Sequence, residues 1–168
     1  MREGDSGKSE RLRHLRSLTE IIDVAIQFEL AAAEFYQQLQ PQVSKPLRWL
    51  VESLAEEEKD HAERLGKLRY HPDLYQEIQQ QIETPVTNLR FSDGLHTPDP
   101  KLLKSDQDVL QYALSRERLA MEQYRALAEA TEPGEVKELF QWLADEEIEH
   151  KSELEKRYYA LVHRGGGV

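Results

Sequence analysis

The chain has 168 residues, a formal net charge of −10 and no cysteine. Its length suits a single domain with one sizeable core. The acidic charge argues against binding to nucleic acid or to an anionic membrane surface. The lack of cysteine excludes disulfides, zinc ribbons and cysteine-ligated iron. No apolar run approaches the roughly 20 residues of a membrane-spanning helix.

The two ends of the chain differ in composition from its middle. Residues 1–16 are charged and lack the apolar core of a signal peptide. We therefore expect a flexible N-terminal arm there and a cytoplasmic location. A single domain is expected over residues 17–162, and the glycines at 165–167 predict a disordered tail over residues 163–168.

Four segments between chain-breaking residues predict helices, over residues 17–40, 46–70, 105–130 and 135–162. Ser17 followed by Glu20 forms a capping-box pattern at the start of the first helix. Pro46 suits the first turn of the second helix, where its missing N–H would have no partner. Ser105 is a suitable N-cap for the third helix.

Residues 71–104 connect the second and third helices and contain four prolines, with no regular apolar pattern. A connection this long is unusual for a simple turn. It can instead cross the bundle from end to end, since a 25-residue helix is about 37 Å long. The chain is therefore predicted to be all-α, a four-helix bundle with one long crossover between helices 2 and 3.

The sequence also repeats itself at long range. LAEEEKDH at residues 54–61 returns as LADEEIEH at residues 143–150, an offset of 89. Glu29 with Tyr36 returns as Glu117 with Tyr124, an offset of 88. The bundle is therefore predicted to consist of two copies of one helical hairpin.

The inward face of each predicted helix, followed in steps of three and four residues, is apolar except near its middle. Each face carries one glutamate there, and two faces add a histidine one turn later. The six residues are Glu29, Glu58, His61, Glu117, Glu147 and His150. Ionised carboxylates in an apolar core need compensation, and four glutamates are balanced by two divalent cations. Carboxylate oxygen and imidazole nitrogen suit iron, with manganese or zinc as alternative occupants.

Four neighbours of this set are candidates for an outer layer around it. Tyr36 and Tyr124 are core residues that can also reach the cluster. Glu57 and Glu146 each precede a predicted ligand, and a carboxylate often accepts the free ring N–H of a ligand histidine. By the symmetry of the repeat, Glu57 is paired with His150 and Glu146 with His61. Solvated charge runs are the alternative interpretation of both acidic segments.

The motifs Glu29-x6-Tyr36, Glu58-x-x-His61, Glu117-x6-Tyr124 and Glu147-x-x-His150 resemble the rubrerythrin-like branch of the ferritin-like superfamily. The resemblance covers about residues 19–161. It implies a non-haem di-iron centre, two iron ions cycling between Fe²⁺ and Fe³⁺, that reacts with peroxide or dioxygen. Without cysteine, the chain lacks the rubredoxin module that delivers electrons in this family. Ala120 also stands where the family carries an additional glutamate.

The leading functional hypothesis is a di-iron oxidoreductase of the peroxidase or oxidase type, with Glu58 and Glu147 bridging the two ions. It requires an external electron-transfer protein, with a homodimer as the oligomeric state to test. The alternatives are a ferroxidase or iron-binding protein, a di-iron hydroxylase of an organic substrate, and a structural bundle with no metal.

Overall fold

The computed structural model describes residues 15–83, 95 and 97–166. Four helices dominate this part of the chain: α1 (Leu18–Leu39), α2 (Lys45–Arg69), α3 (Asp106–Ala130) and α4 (Glu135–Gly166). Helix α1 packs most extensively on α2, and α3 packs most extensively on α4. The predicted all-α bundle of two hairpins is therefore confirmed. Within the described residues, no helix is long and apolar enough to cross a membrane.

The helix ends follow the capping signals in the sequence. The Ser17 hydroxyl accepts a hydrogen bond from the Glu20 backbone N–H at 3.2 Å, and the Ser105 hydroxyl accepts one from the Asp108 N–H at 3.1 Å. Each satisfies a donor that has no partner within its own helix. Helix α4 continues to Gly166, four residues beyond the predicted end, so residues 163–166 are helical rather than part of a tail. Residues 167 and 168 lie outside the described residues.

The connections are short within each hairpin and long between them. A 3₁₀ turn, Gln40–Gln42, joins α1 to α2. The crossover contains two further 3₁₀ turns, Pro72–Leu74 and Glu77–Gln79, and a third at Pro100–Leu102 before α3. Residues 84–94 and 96 of the predicted crossover lie outside the described residues.

A short antiparallel ribbon joins the start of α1 to the crossover. Strand β1 (Leu15–Ser17) pairs with β2 (Gln81–Glu83), with Arg16 opposite Ile82. The last two residues of the expected flexible arm are therefore in a strand, and residues 1–14 lie outside the described residues. Three-residue strands are too short to show an alternating pattern, which is why the sequence did not predict them.

The core consists of two apolar clusters, one towards each end of the bundle. We call the first the Phe140 cluster, since it contains Ile22, Leu65, Tyr124, Leu127 and Phe140. We call the second the Leu154 cluster, since it contains Phe35, Tyr36, Leu47, Leu110 and Leu154. The predicted polar residues lie in the band between the two clusters. Followed in steps of three and four residues, the inward face of α4 is buried from Val136 to Leu154, and only its last position, Tyr158, is half-buried.

Candidate metal centre

The six predicted ligands converge in the middle of the bundle. Each is at least nine-tenths buried, with His150 the most exposed at 7%. Helices α1 and α3 contribute one glutamate each, whereas α2 and α4 contribute a glutamate and a histidine three residues later. Residues three apart share one face of a helix, so each Glu-x-x-His pair projects into the same space.

The first half of the site is centred on His61. Its Nδ1 lies 3.1 Å from Glu147 Oε1, 3.4 Å from Glu58 Oε2 and 3.7 Å from Glu29 Oε2. The three carboxylates come from three different helices, and α2 also supplies the histidine. This half therefore joins α1, α2 and α4.

The second half is centred on His150. Its Nδ1 lies 3.4 Å from Glu58 Oε1, 3.5 Å from Glu117 Oε2 and 3.6 Å from Glu147 Oε2. The rings of His61 and His150 are nearly parallel, with centroids 5.6 Å apart. The two halves therefore lie side by side and are related by the same symmetry as the sequence repeat.

Glu58 and Glu147 belong to both halves. Each presents one carboxylate oxygen to His61 and the other to His150. The potential ligand atoms of each half, four residues in each case, lie within 4.8 Å of one another. Two shared carboxylates between two terminal Glu–His pairs form an arrangement suited to two adjacent cations.

Two buried tyrosines hold the unshared glutamates. The Tyr36 hydroxyl on α1 donates to Glu117 Oε1 on α3 at 3.0 Å, and the Tyr124 hydroxyl on α3 donates to Glu29 Oε1 on α1 at 2.5 Å. Burial and the neighbouring carboxylate raise the pKa of both phenols, so both remain donors at neutral pH. Each leaves the second oxygen of its glutamate facing a histidine.

The outer sides of the two histidines have different neighbours. The Nε2 of His150 contacts the carboxylate of Glu57, which is 45% exposed. The Glu146 carboxylate lies within 4.8 Å of ring nitrogens of both histidines. The edge of Trp142 meets the His61 ring at 5.6 Å between centroids, and the Arg64 guanidinium covers the indole at 4.5 Å. Nothing in the sequence pattern predicted that Trp142 lies beside the site.

The buried site shifts the pKa values of its carboxyl groups in different directions. Burial, followed by the charge of Glu58, raises the pKa of Glu29. Burial and the charges of Glu117 and Glu58 raise the pKa of Glu147. Burial acts in the same direction on Glu58, but contacts with Glu29 and the two histidines outweigh it and lower the pKa of Glu58.

Both histidines are drawn towards the protonated form. Burial by itself lowers the pKa of His61, but contacts with Glu147, Glu29 and Glu58 outweigh burial and raise it. Burial likewise opposes protonation of His150, whose pKa is raised by Glu117, Glu147, Glu57 and Glu58. In the metal-free protein, the two imidazolium groups therefore provide part of the charge that the carboxylates require.

The polar atoms of the site are suited to binding metal ions. Several of them are buried without a hydrogen-bond partner among the described residues. They are Glu29 Oε2, Glu58 Oε1, His61 Nδ1, both Glu147 oxygens and His150 Nδ1. Buried polar atoms are normally hydrogen-bonded, and these ones point into a common space. Four carboxylates and two imidazoles provide charge and donors for two divalent cations.

Arg116 is a further buried polar residue beside the site, and sequence analysis missed it. It is 5% exposed and directly precedes Glu117. Arg116 lies on the inward side of α3, but it is not one of the positions that form the apolar stripe of that helix. The sequence repeat was the available signal. At the offset of 88 that relates Glu29 to Glu117, Arg116 corresponds to Phe28, which is apolar.

Comparison with known proteins gives a family and a fold. The family model described as Rubrerythrin matches residues 20–92 and 108–163. No curated protein matches the chain. A hypothetical protein from Pyrococcus furiosus is 28% identical with a TM-score of 0.65, over 88% of this chain and 91% of that one.

Two further solved structures share the fold at lower identity. A proposed ferritin-like diiron-carboxylate protein from Thermotoga maritima is 23% identical with a TM-score of 0.67, over 87% of this chain and 97% of that one. A dodecameric thioferritin, the bacterioferritin-related protein of Bacteroides fragilis, is 20% identical with a TM-score of 0.64, over 89% of this chain and 88% of that one. The fold is thus ferritin-like.

Proposed function

The chain belongs to the rubrerythrin family, and we propose that it is a non-haem di-iron redox protein that reduces peroxide or dioxygen with electrons from an external donor. The observation that carries this proposal is the sharing of Glu58 and Glu147 between two histidine-centred halves. A structural polar network would need hydrogen bonds at these atoms. Several of the donor atoms instead have no such partner among the described residues.

Each half supplies the ligands for one ion. Glu29 and His61 would hold one ion, Glu117 and His150 the other, and the shared carboxylates would bridge both. The four carboxylates carry −4 in total, so two divalent ions neutralise the site with both histidines uncharged. Two ferrous ions, when bound, supply the two electrons that the reduction of one peroxide requires.

The surrounding residues prepare the site for this chemistry. Tyr36 and Tyr124 fix the orientation of the unshared carboxylates through their hydrogen bonds. The Glu57 carboxylate contacts Nε2 of His150 and so favours the ring orientation in which Nδ1 is directed inward. Four small residues beside the ligand positions would leave room for a small oxidant. They are Ala25, Ala32, Ala113 and Ala120, all buried.

Metal analysis followed by anaerobic kinetics tests the proposal. Protein purified without chelator and loaded with Fe²⁺ is expected to hold two iron ions per chain. On mixing with hydrogen peroxide, the bound iron should be oxidised faster than free Fe²⁺ at the same concentration. Fewer than one metal ion per chain would refute the metal centre. Two ions oxidised no faster than free Fe²⁺ would refute the peroxidase activity alone.

Iron handling is a second candidate, and one observation favours it. The Bacteroides fragilis protein that shares this fold is described as a dodecameric thioferritin. If the present chain stores iron, it should assemble into a closed shell and retain far more than two iron ions per chain. Light scattering combined with iron determination after aerobic loading separates the two functions, since a redox enzyme would stay at two ions per chain in any oligomeric state.

A further inference from the structure

The outward nitrogen of His150 is a buried polar atom that the proposed metal ligation does not use. His150 is 7% exposed, and its Nε2 has no hydrogen-bond partner among the described residues. This atom contacts the carboxylate of Glu57 on α2, whose side chain is 45% exposed. Since Nδ1 of the same ring faces the buried carboxylates, the imidazole lies between the centre and a carboxylate at the surface.

A second carboxylate reaches His150 from its own helix. Glu146 is half-buried on α4, four residues before His150, and residues four apart share one face of a helix. One of its oxygens lies within 4.8 Å of ring nitrogens of both His150 and His61. Glu57 and Glu146 thus supply carboxylates from two helices beside one imidazole. Carboxylate oxygen and imidazole nitrogen are donors suited to divalent iron.

The corresponding side of His61 is covered. The edge of Trp142 lies against the His61 ring, and the Arg64 guanidinium lies over the indole. His61 is 1% exposed, against 7% for His150. At the offset of 89 that relates His61 to His150, Ser53 corresponds to Trp142, so the repeat does not provide the same aromatic cover for His150. The His150 side is therefore the more open of the two.

We propose that Glu57, Glu146 and Nε2 of His150 form an outer docking position for a divalent cation, through which iron enters the buried centre. The inference rests on the proposed metal centre. An ion that moves from water into a buried site loses its hydration shell, and the cost is smaller when carboxylate oxygens replace the water in steps. The next oxygens inward are close, since Glu58 Oε1 lies 3.4 Å from Nδ1 of the same ring.

The outer position is used in passage and adds no third resident ion. A neutral imidazole has one nitrogen free to bind a cation, because the other carries a proton. An ion on Nε2 of His150 therefore excludes an ion on Nδ1 of that ring. The complete centre should still hold two ions per chain, and the outer carboxylates should determine how fast these ions arrive.

The test is stopped-flow mixing of the metal-free full chain with Co²⁺, followed by tryptophan fluorescence. Trp142 lies against His61, so its emission should be quenched as the centre fills. Trp49→Phe removes the other of the two tryptophans and serves as the common background. The second-order association rate constant is measured at low Co²⁺ concentration, and the number of bound ions is measured by equilibrium titration.

In this background, Glu57→Gln and Glu146→Gln together should lower the association rate constant at least about tenfold, since clefts lined by charge of one sign raise on-rates by roughly 10- to 1,000-fold. The control combines Glu56→Gln with Glu149→Gln, which removes the same number of charges from exposed positions on the same two helices. Because exposed charges away from the entrance are screened by salt, the control should lower the rate constant less than about threefold.

The association rate separates an entry position from a role in orienting His150. If Glu57 only orients the ring, its loss weakens affinity through faster dissociation and leaves the association rate constant unchanged. Two Co²⁺ ions per chain that bind within about threefold of the control's association rate would therefore overturn the inference alone. Fewer than one Co²⁺ per chain in the protein with all four glutamates intact would overturn the metal centre itself.

Discussion

Replacement of Glu147 by glutamine should stabilise the metal-free protein while it destroys the metal centre. Glu147 is fully buried, and neither carboxylate oxygen has a hydrogen-bond partner among the described residues. Burial and the charges of Glu117 and Glu58 raise its pKa above the ordinary value of 4.5. Its ionised form is therefore less stable in the folded than in the unfolded chain. Glutamine removes that penalty. Since a pKa raised by one unit corresponds to about 1.4 kcal/mol, we expect the free energy of unfolding to rise by at least about 1 kcal/mol.

The sign of this effect depends on pH. Below pH 4.5 the carboxyl is protonated in both the folded and the unfolded chain, so the two proteins should be about equally stable. As the pH rises above 4.5, the unfolded chain loses its proton first, and the stability of the wild type falls relative to that of the variant. The gain should therefore be largest at neutral pH.

Glu58→Gln should have the opposite effect on the metal-free protein at neutral pH. The pKa of Glu58 is lowered by its contacts with Glu29 and the two histidines. Its ionised form is thus favoured by folding, and that contribution is lost as the pH falls through the lowered pKa. Both variants lose a carboxylate shared by the two halves, so both should fail to bind two ions.

Urea unfolding in the presence of a chelator measures the first effect, and Mn²⁺ titration measures the second. Glu149→Gln, at an exposed position on the same helix, is the matched control and should change neither. The reasoning would be wrong if Glu147→Gln lowered metal-free stability by more than about 1 kcal/mol and still bound two ions. That result would mean that Glu147 is held by hydrogen bonds and has no role as a ligand.

Three other predictions follow from the same geometry. Tyr36→Phe and Tyr124→Phe should each lower the stability of the metal-free protein by about 1–3 kcal/mol in urea unfolding. Each change leaves a buried carboxylate oxygen without its hydrogen-bond donor. A loss below about 0.3 kcal/mol in both variants would show that these hydrogen bonds do not contribute to stability. Mn²⁺ affinity should rise at least about tenfold per pH unit near neutrality for each ion. The raised pKa of His61 and of His150 means that each ion displaces at least one proton. An affinity independent of pH would contradict this. Chelation should lower the free energy of unfolding by about 4 kcal/mol for each bound ion, and so by about 8 kcal/mol for two, relative to protein in metal at a thousand times its Kd. An unchanged unfolding curve would exclude binding specific to the folded state.

The architecture was predictable because its signals are long and repeated. The spacing of Glu58 and His61 on an apolar stripe, repeated by Glu147 and His150, indicates an inward face for both pairs. The observed burial agrees with this at every predicted ligand position. Capping by Ser17 and Ser105 was equally visible, since each serine stands directly before a regular helical pattern.

The features that the sequence did not predict depend on contacts between distant segments. The pairing of Arg16 with Ile82 involves strands of three residues, which are too short to show a period. The placement of Trp142 against His61 depends on how α2 and α4 cross. A single arginine such as Arg116 is usually solvated, and only the rotation of α3 about its axis decides that this one is buried.

The exchanged hydrogen bonds of Tyr36 and Tyr124 fix the alignment of the two hairpins along the bundle axis. Each tyrosine lies on the helix of one hairpin and bonds a glutamate on the other, seven residues from the glutamate of its own helix. A slip of one helical turn, about 5.4 Å, would break both bonds at once and carry the shared carboxylates away from the opposite histidine. The two tyrosine hydrogen bonds therefore allow the duplicated hairpins to pack in one register only.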